Sequence, residues 1–344
     1  MSALDLAERG LLPDWLIRVG IRKLCRQRLR SLSADSADPT GSGQAALLQR
    51  LRESPVAIDV DAANAQHYEL PPAFFRLCLG PRLKYSACLF EHEDSALADA
   101  EEAMLRLYAE RADLRDGQRI LELGCGWGSV TLWMAERFPG SQITGVSNSA
   151  NQRKFILDQA GERGLRNVDI LTCDVNELEQ PASTFDRVIS IEMFEHLRNY
   201  QTIMRRISSW LVPDGSLFVH IFCHRDSAYP FETEGADNWM GRTFFTGGLM
   251  PAFSTLARFQ DDLVLQESWP VNGRHYQRTA EAWLANHDRE QARIAPVMRE
   301  CYGDRDAAIW NQRWRMFWMA CAETFGYRNG EEWLVGHYLF RPRN

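Results

Sequence analysis

The chain has 344 residues, 45% of them hydrophobic, with a formal net charge of −7 at pH 7. That allows one large domain, or one and a half, with a sizeable core and disfavours a nucleic-acid binder that works through bulk positive charge. No run of about 18 apolar residues occurs, so no stable membrane insertion is expected. The first residues, Met1 to Glu8, lack a basic region followed by an apolar core, so no signal peptide is expected. The eight cysteines form no C-x-x-C pair, which points to reduced thiols in a cytoplasm and away from a metal site or disulfide frame.

Residues 1–75 read as a helical segment without a strand pattern, ahead of a larger domain over 76–344. Leu12 to Arg30 is amphipathic and basic. It fits a membrane-surface helix, or a helix packed on the domain with acidic stretches receiving its arginines; packing is the favoured reading. Ser33 to Gly43, rich in Ser, Asp and Gly, predicts a loop. His67 to Phe75 and Leu83 to Phe90 mix aromatic with polar residues, as either a pocket wall or core would. Glu91 to Glu102 is acidic and opens a helix running to about Ala112.

Arg119-Ile-Leu-Glu-Leu-Gly-Cys-Gly-Trp-Gly128 follows, then the helical pattern from Ser129 to Arg137. This is strand, tight glycine loop, helix. Glycines there permit positive φ and close approach of a ligand to the backbone. A dinucleotide fold uses G-x-G-x-x-G with an acid for the ribose about 20 residues on. Here the spacing is G-x-G-x-G, Glu122 precedes the first glycine, and the next strand, Gln142 to Val146, ends in Ser147-Asn148. An acid-flanked loop suits a sulfonium cation, so the loop reads as an S-adenosylmethionine (SAM) site around Glu122, Gly124 and Gly126.

Regular alternation continues: a helix over about 149–163, strands Val168–Thr172 and Phe185–Ile191, a helix over about 199–211, and strand Ser216–Ile221 after Pro213-Asp-Gly215. Such alternation predicts an α/β fold with a mostly parallel, doubly wound sheet. Ligands in these sheets sit at the carboxyl ends of the strands, which gathers Gly124, Asn148, Asp174, Glu192 and His220 on one rim. Residues 224–260 are too long for a plain connection and read as a lid. C-terminal helices are expected over 279–326, the first from about 279 to 300. Trp310, Trp314, Phe317, Trp318 and Cys321 sit at helical spacing, as a core stripe or a homodimer face. Glu332 to Phe340 has strand character and is expected to close the sheet.

Ser190-Ile-Glu-Met-Phe-Glu-His-Leu-Arg-Asn-Tyr200 begins where the cofactor's methyl should point. Glu192, Glu195 and His196 together could bind an ammonium group and take the proton a nucleophilic amine must lose. A lone acid there would more simply cap the following helix.

Three strings, Glu122-Leu-Gly-Cys-Gly-Trp-Gly128, Val146-Ser-Asn-Ser-Ala-Asn-Gln152 and Ile191-Glu-Met-Phe-Glu-His196, resemble the cyclopropane-fatty-acid synthase superfamily of SAM-dependent methyltransferases. Five more resemble its coclaurine N-methyltransferase branch: Phe218-Val-His-Ile-Phe-Cys-His224, Phe244-Phe-Thr-Gly-Gly-Leu-Met-Pro251, Phe259-Gln-Asp-Asp262, Val271-Asn-Gly-Arg-His-Tyr276 and Phe325-Gly-Tyr-Arg-Asn-Gly-Glu-Glu-Trp333. The likeness covers roughly residues 65–341.

It implies a class I methyltransferase fold and N-methylation of a small hydrophobic or aromatic amine. Glu192 and His196 would be the catalytic pair, with Glu195 beside them, and His220, Phe222 and Tyr276 in the acceptor pocket. Tyr85, Ser86, Gly124, Asn148, Gln152, Asp174 and Val175 would hold the cofactor. In the cyclopropane synthases a Cys, a Glu, a His and a Tyr hold a bicarbonate base. The matching positions here are Ala87, Glu195, His220 and Tyr276, and alanine's side chain offers no hydrogen bond. Glu192 is expected to attract the ammonium form and His196, titrating near neutrality if unperturbed, to accept the proton. Methyl or methylene transfer to an unsaturated lipid is the alternative within the superfamily, and a SAM-binding subunit without turnover is the non-enzymatic one.

Overall fold

A computed structural model describes residues 2–36, 42–58 and 70–343. Helices α1 (Ala3–Glu8), α2 (Asp14–Ser36) and α3 (Ser42–Glu53) come first. The expected loop over 33–43 shortens accordingly, since α2 runs through Ser36; residues 37–41, like His67 to Glu69 of the aromatic stretch, lie outside the described residues. Two helices, α4 (Pro72–Cys78) and α5 (Leu97–Arg111), precede the sheet.

Strand β1 (Arg119–Leu123) leads through the glycine loop into α6 (Ser129–Arg137), then β2 (Gln142–Ser147), α7 (Ala150–Glu162), β3 (Val168–Thr172), β4 (Phe185–Ile191), α8 (Tyr200–Trp210) and β5 (Leu211–His224). After two short strands, β6 (Tyr229–Pro230) and β7 (Leu249–Met250), separated by α9 (Trp239–Thr243), come β8 (Leu263–Val271), α10 (Arg274–Arg289), α11 (Gln291–Phe325) and β9 (Trp333–Pro342).

One seven-stranded sheet runs in the order β3-β2-β1-β4-β5-β9-β8. β1 to β5 pair in parallel and β9 is antiparallel to both β5 and β8. Apolar runs such as Ile120–Leu123 and Val188–Ile191 are buried because helices cover both faces. The expected closing strand is real, but it is not the edge: β9 lies inside, and β8 closes the sheet. β8 escapes a sequence reading because Leu263 and Val271 are buried at its ends while Gln266, Glu267 and Ser268 between them are exposed. Its Pro270 suits an edge strand, which needs fewer donors.

On one face, Phe74, Phe75, Trp283, Trp314 and Trp318 join Phe218 and Phe222 in a core. On the other, Tyr200, Ile203, Ile207 and Trp210 of α8 pack on Leu121, Val188 and Val219. The stripe is therefore internal from Trp314 to Cys321, while Trp310 at its start is half-buried. Trp314 and Trp318 are fully buried, with Trp314 4.9 Å from the ring of Phe74 and Trp318 5.2 Å from that of Trp283, so neither can form a dimer face. The first C-terminal helix starts at Arg274 rather than 279, and the chain breaks at Glu290 and again at Gly303, whose φ is +71°.

α2 packs on the domain. Ile17, Cys25 and Leu32 are buried, Arg18 reaches Glu281 (2.6 Å) and Glu323 (2.9 Å), and Arg22 reaches Glu323 (2.7 Å). The acids that receive its arginines come from α10 and α11. No helix among the described residues is long and apolar enough to cross a membrane.

Candidate active site

The glycine loop leaves the carboxyl end of β1. Gly124 and Gly126 have φ of +80° and +51°, a region costly for other residues. A Cβ on Gly124 would lie 2.7 Å from Met193, whereas one on Gly126 would meet nothing within 4 Å. The loop is thus packed against the acidic motif at Gly124 and open at Gly126. Glu122 is buried, and its carboxylate accepts from the Thr131 hydroxyl at 2.5 Å, tying β1 to the first turn of α6. Burial pushes its carboxyl up to about 7.

The next strand ends in a polar cluster. Ser147 Oγ donates to Gln152 Oε1 at 2.6 Å, and Ser149 caps α7. Gln152 is 2% exposed, yet its Nε2 has no partner among the described residues; neither has the buried Ser129 Oγ, at the start of α6. Buried orphan donors beside an open glycine are what a polar ligand would satisfy. Asn148 is exposed on this rim. Asp174 accepts from the Asn176 N–H at 2.8 Å, and the Val175 carbonyl accepts from Arg206 at 3.1 Å, shaping the turn after β3. Tyr85 packs its ring 5.4 Å from Phe75 and 5.7 Å from Trp283, and Ser86 Oγ accepts from Lys84 Nζ at 2.5 Å. The donor set and the open loop fit SAM: Gly126 would admit its backbone-facing edge, and Gln152 and Ser129 would supply hydrogen bonds.

The acidic motif starts at the end of β4. Glu192 takes a φ of +46°, uncommon for a non-glycine residue and consistent with a constrained site. Its carboxylate is held from three directions: the Ala87 N–H donates to Oε1 at 2.9 Å, His220 Nε2 lies 3.1 Å from Oε1, and the Tyr276 hydroxyl donates to Oε2 at 2.6 Å. Three of the four positions expected to surround a bicarbonate therefore surround Glu192, and Glu195 is not hydrogen-bonded with them. Glu195 is buried on the turn Phe194–His196, with Oε2 unpartnered among the described residues. His196 is half-buried and stacks on Phe245, with ring centroids 6.1 Å apart. Phe222 stands 5.7 Å from Phe245 and 6.0 Å from Phe325, and Tyr276 stacks on Phe325 at 4.2 Å. The Glu192 carboxylate thus adjoins an aromatic wall through Tyr276 and Phe325.

Burial raises the Glu192 carboxyl, opposed chiefly by the charge of Lys84. Burial, then the charge of Glu192, raises Glu195 well above the usual carboxylate range. Burial, then the charge of Arg198, lowers His196 to about 4. The expectation that His196 titrates near neutrality is thereby corrected: it is neutral at pH 7, and its conjugate acid is too strong to hold a proton there.

Sequence reading missed Lys84, Glu101 and Thr279, which build the wall holding Ala87. Glu101 accepts from the Arg82 and Lys84 amides at 2.8 and 3.2 Å, Lys84 Nζ donates to the Ala87 carbonyl at 2.6 Å, and Thr279 accepts from the Cys88 amide at 3.0 Å. A lysine beside Tyr85-Ser86 was visible, but its complete burial was not. Among the described residues no group of three or more His, Cys, Asp or Glu is placed to hold a metal.

Residues 58–332 match the family model described as mycolic acid cyclopropane synthetase. The chain is 36% identical to (S)-coclaurine N-methyltransferase of Thalictrum flavum subsp. glaucum, over 100% of this chain and 96% of that one. It is 37% identical to the enzyme of the same name from Papaver somniferum, over 98% and 96%. A crystal structure of coclaurine N-methyltransferase bound to N-methylheliamine and SAH superposes with a TM-score of 0.92, at 37% identity and 98% coverage of both chains. The fold, the glycine loop with its orphan donors and these likenesses agree: the chain is an enzyme of the coclaurine N-methyltransferase-like branch of the cyclopropane-fatty-acid synthase superfamily, methyltransferases whose cofactor is SAM.

Proposed function

We propose that the enzyme methylates the nitrogen of a small hydrophobic or aromatic amine, with Glu192 as the carboxylate that binds it. The observation that carries this reading is the holding of Glu192 by Ala87, His220 and Tyr276 beside Phe222, Phe245 and Phe325. A carboxylate has about four lone-pair sites. Two contacts fall on Oε1 and one on Oε2, which leaves a site on Oε2 for an ammonium N–H. Aromatic faces around it favour a cationic, apolar guest. The relatives' names, coclaurine and pavine N-methyltransferase, and a neighbour bound to N-methylheliamine support an amine acceptor.

SAM supplies the electrophilic methyl group when bound. Glu122, Gly124, Gly126, Gln152, Asn148, Asp174, Val175, Tyr85 and Ser86 would hold it at the rim. Glu192 takes the ammonium proton, and its raised affinity for protons makes it a better base than an exposed carboxylate. Glu195, its carboxyl raised by burial and then by the charge of Glu192, stands beside it on the same turn. His196, neutral at pH 7, stacks on Phe245 and walls the site beside Glu192. Residues 224–260, which bring Phe245 over His196, act as the cover.

The test is incubation with SAM, a panel of primary to tertiary amines, and vesicles of unsaturated phospholipid, read by mass spectrometry. Gain of one methyl group on an amine is expected. Modification of the lipid alone would overturn the reading in favour of carbon methylation, and SAM binding without any turnover would make the chain a binding subunit.

A further inference from the structure

Behind Glu192 a row of side chains crosses the sheet to its edge. His220 of β5 pairs with His337 of β9, which in turn pairs with Trp269 of β8, so the three side chains share one face. His220 Nδ1 lies 2.8 Å from His337 Nε2 and 2.9 Å from the Tyr108 hydroxyl of α5. His337 Nδ1 lies 2.6 Å from Nη1 of Arg111, the last residue of α5, whose guanidinium covers the Trp269 ring at 4.8 Å. Both histidines are fully buried, and Arg111 is half-buried.

Arginine has no acceptor, so Arg111 donates to His337 Nδ1. A neutral imidazole has one donor and one acceptor, so His337 must carry its proton on Nε2 and give it to His220 Nδ1. His220 then carries its own proton on Nε2, aimed at Glu192 Oε1. We propose that Arg111 and His337 are positioning residues whose one-way hydrogen-bond relay fixes the tautomer of His220 that donates to Glu192. The Tyr108 hydroxyl, 2.9 Å from the same nitrogen, can turn to follow either tautomer and does not set the direction. Burial, then the nearby charges of Lys84 and Arg111, holds His220 well below its usual titration range; burial, then His220 and Arg111, does the same for His337. Both rings are therefore neutral at pH 7, as the relay requires.

Without Arg111 the chain of donors can reverse. His220 would then turn a lone pair toward Glu192, and the carboxylate would lose a donor and bind its proton more tightly. The inference rests on Glu192 acting as an ionised carboxylate. The charged and titratable groups facing Glu192 are Lys84 and Cys88 on the loop after α4, Tyr108 on α5, Glu195 and His196 on its own turn, His220 on β5, Tyr276 on α10 and Cys321 on α11. None of these is altered in the test variants.

The experiment compares wild type with Arg111→Met, His337→Leu and His337→Gln. It records the pH profile of kcat with an accepted amine and the ring-nitrogen NMR signals of 15N-histidine-labelled protein. Arg111→Met keeps a long unbranched side chain and removes the guanidinium that donates to His337 and covers Trp269. In it and in His337→Leu the acid limb should move up by about one pH unit, the loss of one carboxylate hydrogen bond. His337→Gln, which still accepts from Arg111 and donates to His220, should stay near wild type. The wild-type spectrum should show both rings protonated at Nε2, and Arg111→Met should lose that pattern. An unmoved acid limb together with unchanged tautomers in Arg111→Met would overturn the relay even if His337→Leu fails to fold. If Glu192→Gln leaves the rate intact, the reading of Glu192 fails, and the ring-nitrogen spectra decide the relay by themselves.

Discussion

The cofactor rim and the acceptor site meet where Gly124 packs against Met193, yet they are built differently. The centre of the rim is backbone: a loop with positive φ at Gly124 and Gly126, anchored by Glu122 on Thr131 within one short stretch of chain. The acceptor site is made of groups from the loop after α4, the turn after β4, β5, α10 and the segment around Phe245; the contact between Ala87 and Glu192 alone spans 105 positions. The first can be specified by a short motif. The second exists only once the fold is complete, so its members tolerate substitution less evenly.

The contrast can be broken in order of effect. Removing the charge of the acceptor site is the largest step. Glu192→Gln should lower kcat/KM for the amine by roughly 10²–10⁴-fold, the usual worth of a placed base, while SAM binding measured by calorimetry stays within about threefold of wild type. Comparable loss of SAM binding would show that the two regions are one unit. Trp314→Ala, in the wall behind both, should cost about 3–5 kcal/mol in urea unfolding; a cost below about 1 kcal/mol would show that the wall repacks freely. Gln152→Leu removes the buried orphan donor and should weaken SAM about tenfold, the scale of one hydrogen bond, without changing KM for the amine.

A pH experiment sharpens the comparison on the rim. Glu122 has a folded pKa raised to about 7 by burial, above the value near 4.5 expected when unfolded. The folded state holds the extra proton between those values, so the contribution of Glu122 to stability is present below pH 4.5 and is lost as pH rises through 7. Glu122→Gln keeps an acceptor for Thr131 and carries no charge. It should match wild type near pH 5 and be more stable near pH 8 by thermal unfolding; equal stability at both would contradict the burial argument. The smallest effect belongs to the periphery. Arg22→Ala breaks an exposed pair with Glu323 and should cost no more than about 1 kcal/mol.

The same contrast explains what could be read from the sequence. The parallel sheet, the glycine loop, the polar end of β2 and the acidic motif after β4 all follow from local patterns, and each was found in place. The packed N-terminal helix followed from matching its arginines to acids elsewhere in the chain. What was not legible depends on long-range burial. Glu192 and Glu195 are three residues apart with the same side chain, and only the surrounding Ala87, His220 and Tyr276 distinguish them. His196 looks like a neutral-pH base until burial and Arg198 depress it. Lys84 and His337 have ordinary neighbours in sequence, and their roles come from elements that meet them in space. β8 hides because its middle faces outward.

The central claim is that the Glu192 carboxylate, held by Ala87, His220 and Tyr276, receives the amine and its proton. The most direct test is the pH–rate profile of Glu192→Gln against wild type on one accepted amine, with SAM affinity measured in parallel. Retained SAM binding, a rate lowered by roughly 10²-fold or more at pH 7, and partial recovery at high pH, where the free amine needs no base, is the predicted result. A profile that overlays wild type would contradict it.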